Sequence, residues 1–317
     1  MRSYLFVPGD SQRKLEKSLS SGADCLLIDL EDSVSTSQKA TARQMAREFI
    51  AETRRNGTSA DPGIVVRVNP LGSGLTQDDL AAVVAARPDG VLLPKCEHGA
   101  DVQHLSTLIA VLEADAGIDE GETNIHALVT ETAKGTLNAG TYASVSERLK
   151  TLSWGGEDLS ADIGVEANRD GDGNYTDLFR HARTMTLLGA AAAGVEAVDT
   201  VYVDFKNAEG LENECRQAVR DGFSGKMAIH PSQVEIINRA FTPTEAAVER
   251  ARRIVELFEE AGEDAGVLSL DGQMIDRPHL KQSQRILERA RSRDQLAPCS
   301  SSSQVGRVIS NVRAPSL

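Results

Sequence analysis

The sequence predicts an α/β protein, a closed (β/α)8 barrel with a C-terminal helical extension. Three observations carry this. Eight short apolar runs recur along the chain, helical stretches stand between them, and nearly every run passes straight into polar, Gly or Pro residues. The runs are Ser3–Val7, Cys25–Leu30, Ile64–Val68, Gly90–Leu93, Ile125–Val129, Thr151–Trp154, Thr200–Val203 and Met227–Ile229. They are continuous rather than alternating, as strands buried on both faces of a parallel sheet are. The helical stretches include Gln38–Arg54, Val102–Ala114, Asp177–Ala193 and Leu211–Val219. Strands alternating with helices indicate βαβ units, and eight strands favour a closed barrel over an open doubly wound sheet.

A barrel of about 250 residues fits easily within one domain of a chain this long. We place it at residues 1–240 of the 317, the helical extension at 241–296, and a tail without fixed structure at 297–317. In the extension, Pro243 to Ala261 reads as one helix capped by Thr242. Gly266 to Gly272 is turn-rich enough for a short hairpin, and Pro278 to Ala290 reads as a last helix. The tail is rich in Ser, a composition that buries little.

Bulk properties narrow the function. A net charge of −13 excludes nucleic acid and anionic membrane surfaces as partners, and an anionic substrate would need a local basic pocket. No apolar run reaches membrane-spanning length, and the stretch beginning Met1-Arg2-Ser3 is too short for a signal-peptide core. Cys25, Cys96, Cys215 and Cys299 form neither a close pair nor a metal-ligand spacing, which suits reduced thiols in a cytoplasmic protein. Aromatic residues are only 4% of the chain, so the core must be aliphatic.

Barrel enzymes place their chemistry at the C-terminal ends of the strands. Here those ends read Pro8-Gly9-Asp10, Asp29-Leu30-Glu31-Asp32, Arg67-Val68-Asn69, Pro94-Lys95-Cys96-Glu97, Thr130-Glu131-Thr132, Gly155-Gly156-Glu157-Asp158, Asp204 and His230-Pro231. Carboxylates crowded together repel one another unless a cation is present. Oxygen ligands of this kind suit Mg²⁺, which keeps several waters and takes one or two carboxylates. Glu131 and Asp158 are the first candidates, with helix capping or pairing to Arg67 and Lys95 as the alternative. Asp29, Glu31, Asp32, Lys95 and Glu157 are candidates for supporting hydrogen bonds around them. For the three acids after the second strand, helix capping would serve equally well. His230 is either a structural residue or, from its place at a strand end, part of the site. Arg13 and Lys17 share a helix face beside the mouth. That face would hold a phosphorylated group or be a solvated surface. Two apparent motifs fail. Asn168 to Gly173 begins like a calcium loop but has Phe179 where a bidentate Glu is required, and Gly222 to Lys226 lacks P-loop spacing.

The segments Leu5-Phe6-Val7-Pro8-Gly9-Asp10, Leu27-Ile28-Asp29-Leu30-Glu31-Asp32-Ser33-Val34, Val66-Arg67-Val68-Asn69 and Leu93-Pro94-Lys95 closely resemble the HpcH/HpaI aldolase and citrate lyase family, in its CitE-like branch. So do Glu131-Thr132-Ala133, Gly155-Gly156-Glu157-Asp158-Leu159, Gly225 to Gln233, and Gly272-Gln273-Met274-Ile275-Asp276-Arg277-Pro278. The resemblance spans residues 2 to 291 in order; the Asn168–Tyr175 insertion and the Ser-rich tail lie outside it. It implies a TIM barrel of the phosphoenolpyruvate/pyruvate type, Mg²⁺ held by Glu131 and Asp158, and Arg67 touching the reacting oxygens. It further implies a CoA-ester site lined by Phe6, Arg13, Lys17, Ile229 and His230. Asp276 matches the catalytic acid/base of malyl-CoA and citramalyl-CoA lyases, supplied in trans by a neighbouring chain of a homo-oligomer, trimer or hexamer. Nothing in the residues themselves places Asp276 at the mouth.

The chemistry so implied is a retro-Claisen cleavage of a short β-hydroxyacyl-CoA, such as citramalyl-, malyl- or citryl-CoA, into a 2-keto acid and acetyl- or propionyl-CoA. Three other readings differ in one feature each. An aldolase acting on free pyruvate-type acids shares the metal pair but not the basic face. A thioesterase or malate-synthase-like enzyme shares the CoA site but breaks a different bond. A non-catalytic CoA-binding subunit would not need Arg67 and Asp276. Citrate lyase β chains work on an acyl carrier protein within a complex, whereas the intact Met-Ile-Asp segment favours a stand-alone CoA enzyme.

Overall fold

The computed structural model describes residues 1–58, 61–262 and 265–296, the side chains as far as residue 290. The expected tail at 297–317, with Cys299, lies outside the described residues. Eight parallel strands close into a barrel in chain order. They are β1 (Ser3–Pro8), β2 (Cys25–Asp29), β3 (Gly63–Arg67), β4 (Gly90–Leu93), β5 (Asn124–Leu128), β6 (Leu149–Ser153), β7 (Glu196–Asp199) and β8 (Gly225–Ala228). Closure is made by β1 pairing with β8, Tyr4 opposite Met227. The helices on the outside are α1 (Gln12–Ser18), α2 (Lys39–Asn56), α3 (Thr76–Val83), α4 (Gly99–Ala116), α5 (Ala133–Leu137), α6 (Gly156–Ile163), α7 (Asp177–Ala193), α8 (Ala208–Asp221) and α9 (Val234–Phe241).

The strands are apolar on both faces because each face meets a different core. In β1, Leu5 and Val7 join the large cluster between sheet and helices. Tyr4, with Cys25, Leu27, Val65, Leu92, Leu128, Val198 and Met227, fills the barrel interior. The same two-residue period puts Asp29 after Cys25 and Leu27, and Arg67 after Val65, at the top of that interior. Thus the polar residue ending each of these strands points into the mouth.

Strand seven departs from the sequence expectation. The run Thr200–Val203 has strong β propensity but is a loop, and the strand is Glu196–Asp199. Helix α7 ends at Gly194 in the left-handed conformation, so the chain enters the sheet almost at once. There Val198 and Asp199 pair with Gly225 and Lys226 of β8. Pairing and burial outweigh propensity here. The strand therefore ends at buried Asp199 rather than leading to exposed Asp204.

After the barrel come α10 (Glu245–Ala261), the antiparallel pair β9 (Val267–Leu270) and β10 (Gln273–Asp276), and α11 (Arg277–Leu296). The cap of α10 is Thr244, whose Oγ1 accepts from Ala247 N at 3.2 Å, not Thr242. Thr242 instead receives an Arg2 guanidinium N–H and turns its own hydroxyl to Asn238 O. Ile254, Phe258, Leu270 and Ile275 give this extension a small core of its own. Cys25, Cys96 and Cys215 are free and buried, and burial pushes the Cys96 and Cys215 thiols up to about 12. So little thiolate exists for chemistry. Among the described residues no helix is long and apolar enough to cross a membrane.

Candidate active site

Register and parity assemble the centre of the site. Asp29 and Arg67 stand opposite each other across β2 and β3. Both point inward, and the guanidinium meets the carboxylate through two N–H···O bonds of 2.7 Å each. Asp29 also accepts the backbone N–H of Glu31 at 2.9 Å and of Ser33 at 3.0 Å. Burial raises the Asp29 carboxyl, but Arg67 and these donors outweigh it and hold it below the usual carboxylate range. Arg67 is thus fixed in plane, with its Cζ 4.7 Å from the centre of the Phe6 ring.

Glu31 is buried between the two cations. Its Oε1 is 2.5 Å from Lys95 Nζ. Its Oε2 lies 2.9 Å from Arg67 Nη1, an ion-pair distance, yet it accepts no hydrogen bond. Burial outweighs both cations and raises the Glu31 carboxyl. Asp32 is more open, 3.5 Å from Lys95 and 3.9 Å from Arg67.

Lys95 follows β4 with φ of 49°, a left-handed backbone uncommon outside glycine. Its N–H donates to Glu131 Oε2 at 2.5 Å, while its ammonium reaches Asp158 Oδ1 at 3.1 Å. Glu131, just beyond β5, is 3% exposed; burial first, and then the nearby Asp158 charge, push its carboxyl well above the usual range. Room for it comes from Gly155, where an added Cβ would lie 2.7 Å from Glu131 Cγ. Asp158 sits in the first turn of α6, where the helix dipole favours a negative charge.

The structure therefore brings together Asp29, Glu31, Asp32, Arg67, Lys95, Glu131 and Asp158, with Phe6 under the arginine. It takes Glu157 elsewhere. Successive helix residues point about 100° apart, so when Asp158 faces the mouth Glu157 faces outward. There it accepts a 2.8 Å hydrogen bond from Asn168 of the insertion. Arg13 and Lys17 lie exposed on α1, and among the described residues neither meets a carboxylate. His230 is exposed; it caps the short turn Pro231–Gln233 and stacks on Phe205 at 4.9 Å between centroids. The adjacent Ile229 is 41% exposed, its N–H held by Gln233 Oε1.

Asp276 is not in its own chain's mouth. It ends β10, with Oδ1 2.5 Å from His279 Nδ1. Among the described residues no hydrogen bond or ion pair joins it to Arg67, Glu131 or Asp158. Sequence reasoning passed over Gly155 and the left-handed turn at Lys95. The Gly155-Gly156 doublet was a signal for the first, whereas nothing in the residue type signals the second.

A largely buried arginine and a lysine crossed by five carboxylates, at the C-terminal end of a parallel barrel, define the charged mouth of a (β/α)8-barrel enzyme. Residues 2–231 match the HpcH/HpaI aldolase/citrate lyase family, and the chain belongs to that family of carbon–carbon lyases. It is 34% identical over 290 residues to the citrate lyase subunit beta of Leuconostoc mesenteroides subsp. cremoris, covering 91% of this chain and 93% of that protein. It is 33% identical over 305 residues to the mitochondrial citramalyl-CoA lyase of Rattus norvegicus, covering 92% and 86%. Among solved structures, CitE from Mycobacterium tuberculosis in complex with magnesium, acetoacetate and coenzyme A aligns with a TM-score of 0.72 at 32% identity, covering 91% of this chain and 97% of that one.

Proposed function

We propose that this protein is a Mg²⁺-dependent lyase that splits a short β-hydroxyacyl-CoA thioester into a 2-keto acid and a smaller acyl-CoA. The observation that carries the reading is Glu131. A buried carboxylate beside a second one, with its carboxyl pushed up by both, is a poor structural choice and a good ligand for a hard cation. Among the described residues no three His, Cys, Asp or Glu side chains gather as a metal cage. Two carboxylates, Glu131 and Asp158, are nevertheless what Mg²⁺ takes when waters and substrate oxygens complete its shell. The missing Cβ at Gly155 leaves Glu131 the space to do so. The ion would supply Lewis acidity and a template for the substrate's oxygens.

The chain's own residues account for the rest. Arg67, held by Asp29, steadies charge on the reacting oxygens, a contribution on the order of 3 kcal/mol. A neighbouring chain's Asp276 takes the proton of the substrate hydroxyl. The C–C bond then breaks, the oxygen closes to the keto acid's carbonyl, and the electron pair leaves as the enolate of the acyl-CoA, which picks up a proton. Exposed Arg13 and Lys17 offer unpaired positive charge to the CoA phosphates. Phe6, Ile229 and His230 line the thioester's approach. Mg²⁺-loaded protein incubated with citramalyl-, malyl- and citryl-CoA, with products identified by mass spectrometry, tests the reading. Cleavage of at least one to a keto acid and an acyl-CoA is expected; hydrolysis of the thioester alone would point to a thioesterase.

A further inference from the structure

We propose that Lys95 and the divalent ion are alternative partners of the Asp158 carboxylate, so that Lys95 sets how tightly the mouth takes the metal; this rests on Glu131 and Asp158 being the metal pair. One residue touches both members of that pair: the Lys95 backbone N–H holds Glu131 Oε2 at 2.5 Å, and its ammonium lies 3.1 Å from Asp158 Oδ1. The left-handed backbone at Lys95, φ 49°, is the conformation in which both contacts are made.

Charge and distance make the two cations exclusive. Arg67 is committed to Asp29 through two hydrogen bonds and otherwise lies against Glu31 and Asp32, so among the described residues Lys95 is the cation at ion-pair distance from Asp158. A Mg²⁺ ion binds a carboxylate oxygen at about 2.0–2.1 Å. An ammonium at 3.1 Å from that same oxygen would then face a double positive charge at close range. The ammonium has somewhere to go. Glu31 keeps it at 2.5 Å, and the Lys95 side chain is 31% exposed, open enough to turn about that anchor. Glu31, buried and 2.9 Å from Arg67, would stay behind as its fixed partner. In this view Lys95 is no ligand; it lowers the mouth's affinity for the metal and holds Asp158 in place until the metal displaces it.

Mg²⁺ titration of the full-length protein without substrate tests this, read by calorimetry and by the Mg²⁺-dependent rise in Tm. Lys95→Met keeps the stem and removes the charge; it should bind Mg²⁺ on the order of tenfold more tightly than wild type, since one close like charge is removed. Lys95→Arg keeps the charge and should bind within about twofold of wild type on the same ground. Glu131→Gln should bind more weakly than any of them. Met substitution that leaves the affinity unchanged, or lowers it, overturns the inference. If Glu131→Gln binds Mg²⁺ as wild type does, the metal pair itself is wrong and the inference goes with it.

Discussion

Two charge clusters sit on the same barrel and are balanced in opposite ways. Behind the sheet, Lys226 Nζ is fully buried between Asp199 Oδ2 at 2.8 Å and Glu214 Oε1 at 2.7 Å. Asp199 also accepts the Trp154 indole N–H at 2.7 Å, and the second oxygen of Glu214 holds Arg169 at 2.7 Å. Burial raises the Asp199 carboxyl, but Lys226 and Arg183 outweigh it, and it ends below the usual range. At the mouth Asp29 is likewise held low by Arg67, but for Glu31 and Glu131 the outcome is reversed. Burial raises Glu131 and Glu31, neighbouring acids add to it, and Arg67 and Lys95 do not restore the balance. Both clusters use carboxylates and cations at similar distances. The difference is stoichiometry: carboxylates that end below their usual range stabilise the fold, and carboxylates held above it cost stability at neutral pH.

The comparison can be broken at several points, beginning with the largest effect. Asp276→Ala should bind thioester and Mg²⁺ nearly normally yet lose about 10²–10⁴-fold in kcat, the usual value of a positioned proton transfer. Mixing Asp276→Ala chains with inactive Glu131→Gln chains should restore activity after subunit exchange, because some sites then hold both groups. If exchange is demonstrated and the mixture stays inactive, the acid is not delivered in trans.

Lys226→Met should act on the other cluster and on stability alone. It leaves Asp199 and Glu214 buried without the cation between them, Arg183 and Arg169 reaching one acid each, which costs about 3–5 kcal/mol. Denaturant unfolding measures it, and a loss under about 1 kcal/mol would mean that water reaches the pair.

Glu131→Gln should do the opposite: turnover falls roughly 10²–10³-fold, while the Tm of the metal-free protein stays level or rises. A Glu whose folded carboxyl is raised costs stability at neutral pH, so removing its charge relieves the fold. A clear drop in Tm would show that this carboxylate is structural after all.

A pH series separates the two kinds of carboxylate. Glu113 is paired with buried Arg148 at 2.8 Å and its carboxyl is lowered to about 2; burial opposes this, but the arginine and the Thr123 and Gly121 N–H groups prevail. A lowered carboxyl contributes stability that is present at neutral pH and lost as pH falls from the ordinary Glu value toward about 2. The Tm penalty of Glu113→Gln should therefore shrink as pH is taken from 7 toward 3. An unchanging penalty would assign it to packing.

The smallest effect concerns α1. Reversing Arg13 and Lys17 to Glu should raise the KM for a CoA ester roughly tenfold, since exposed charges are each worth at most about 1 kcal/mol, and leave keto-acid binding alone. Equal effects on both ligands would place the phosphates elsewhere.

Most of the barrel, and the positions of Arg67, Glu131 and Asp158 at strand ends, are legible in the sequence because they follow from one-dimensional patterns. An apolar run must be buried, and the polar residue that ends it must stand at the rim. Strand seven shows where that fails. Thr200–Val203 has the better propensity, yet Glu196–Asp199 makes the strand because Asp199 answers Lys226 on β8. Direction around a helix is also lost in the sequence as read by type: Glu157 and Asp158 are adjacent acids, and only the position of α6 turns one to the mouth and the other to Asn168. Residue types and their order determined the fold class and the chemistry available at its rim. Tertiary structure decided which charges meet, and hence which carboxylates end above their ordinary range and which below, because charge balance depends on distances between strands that are far apart in the chain.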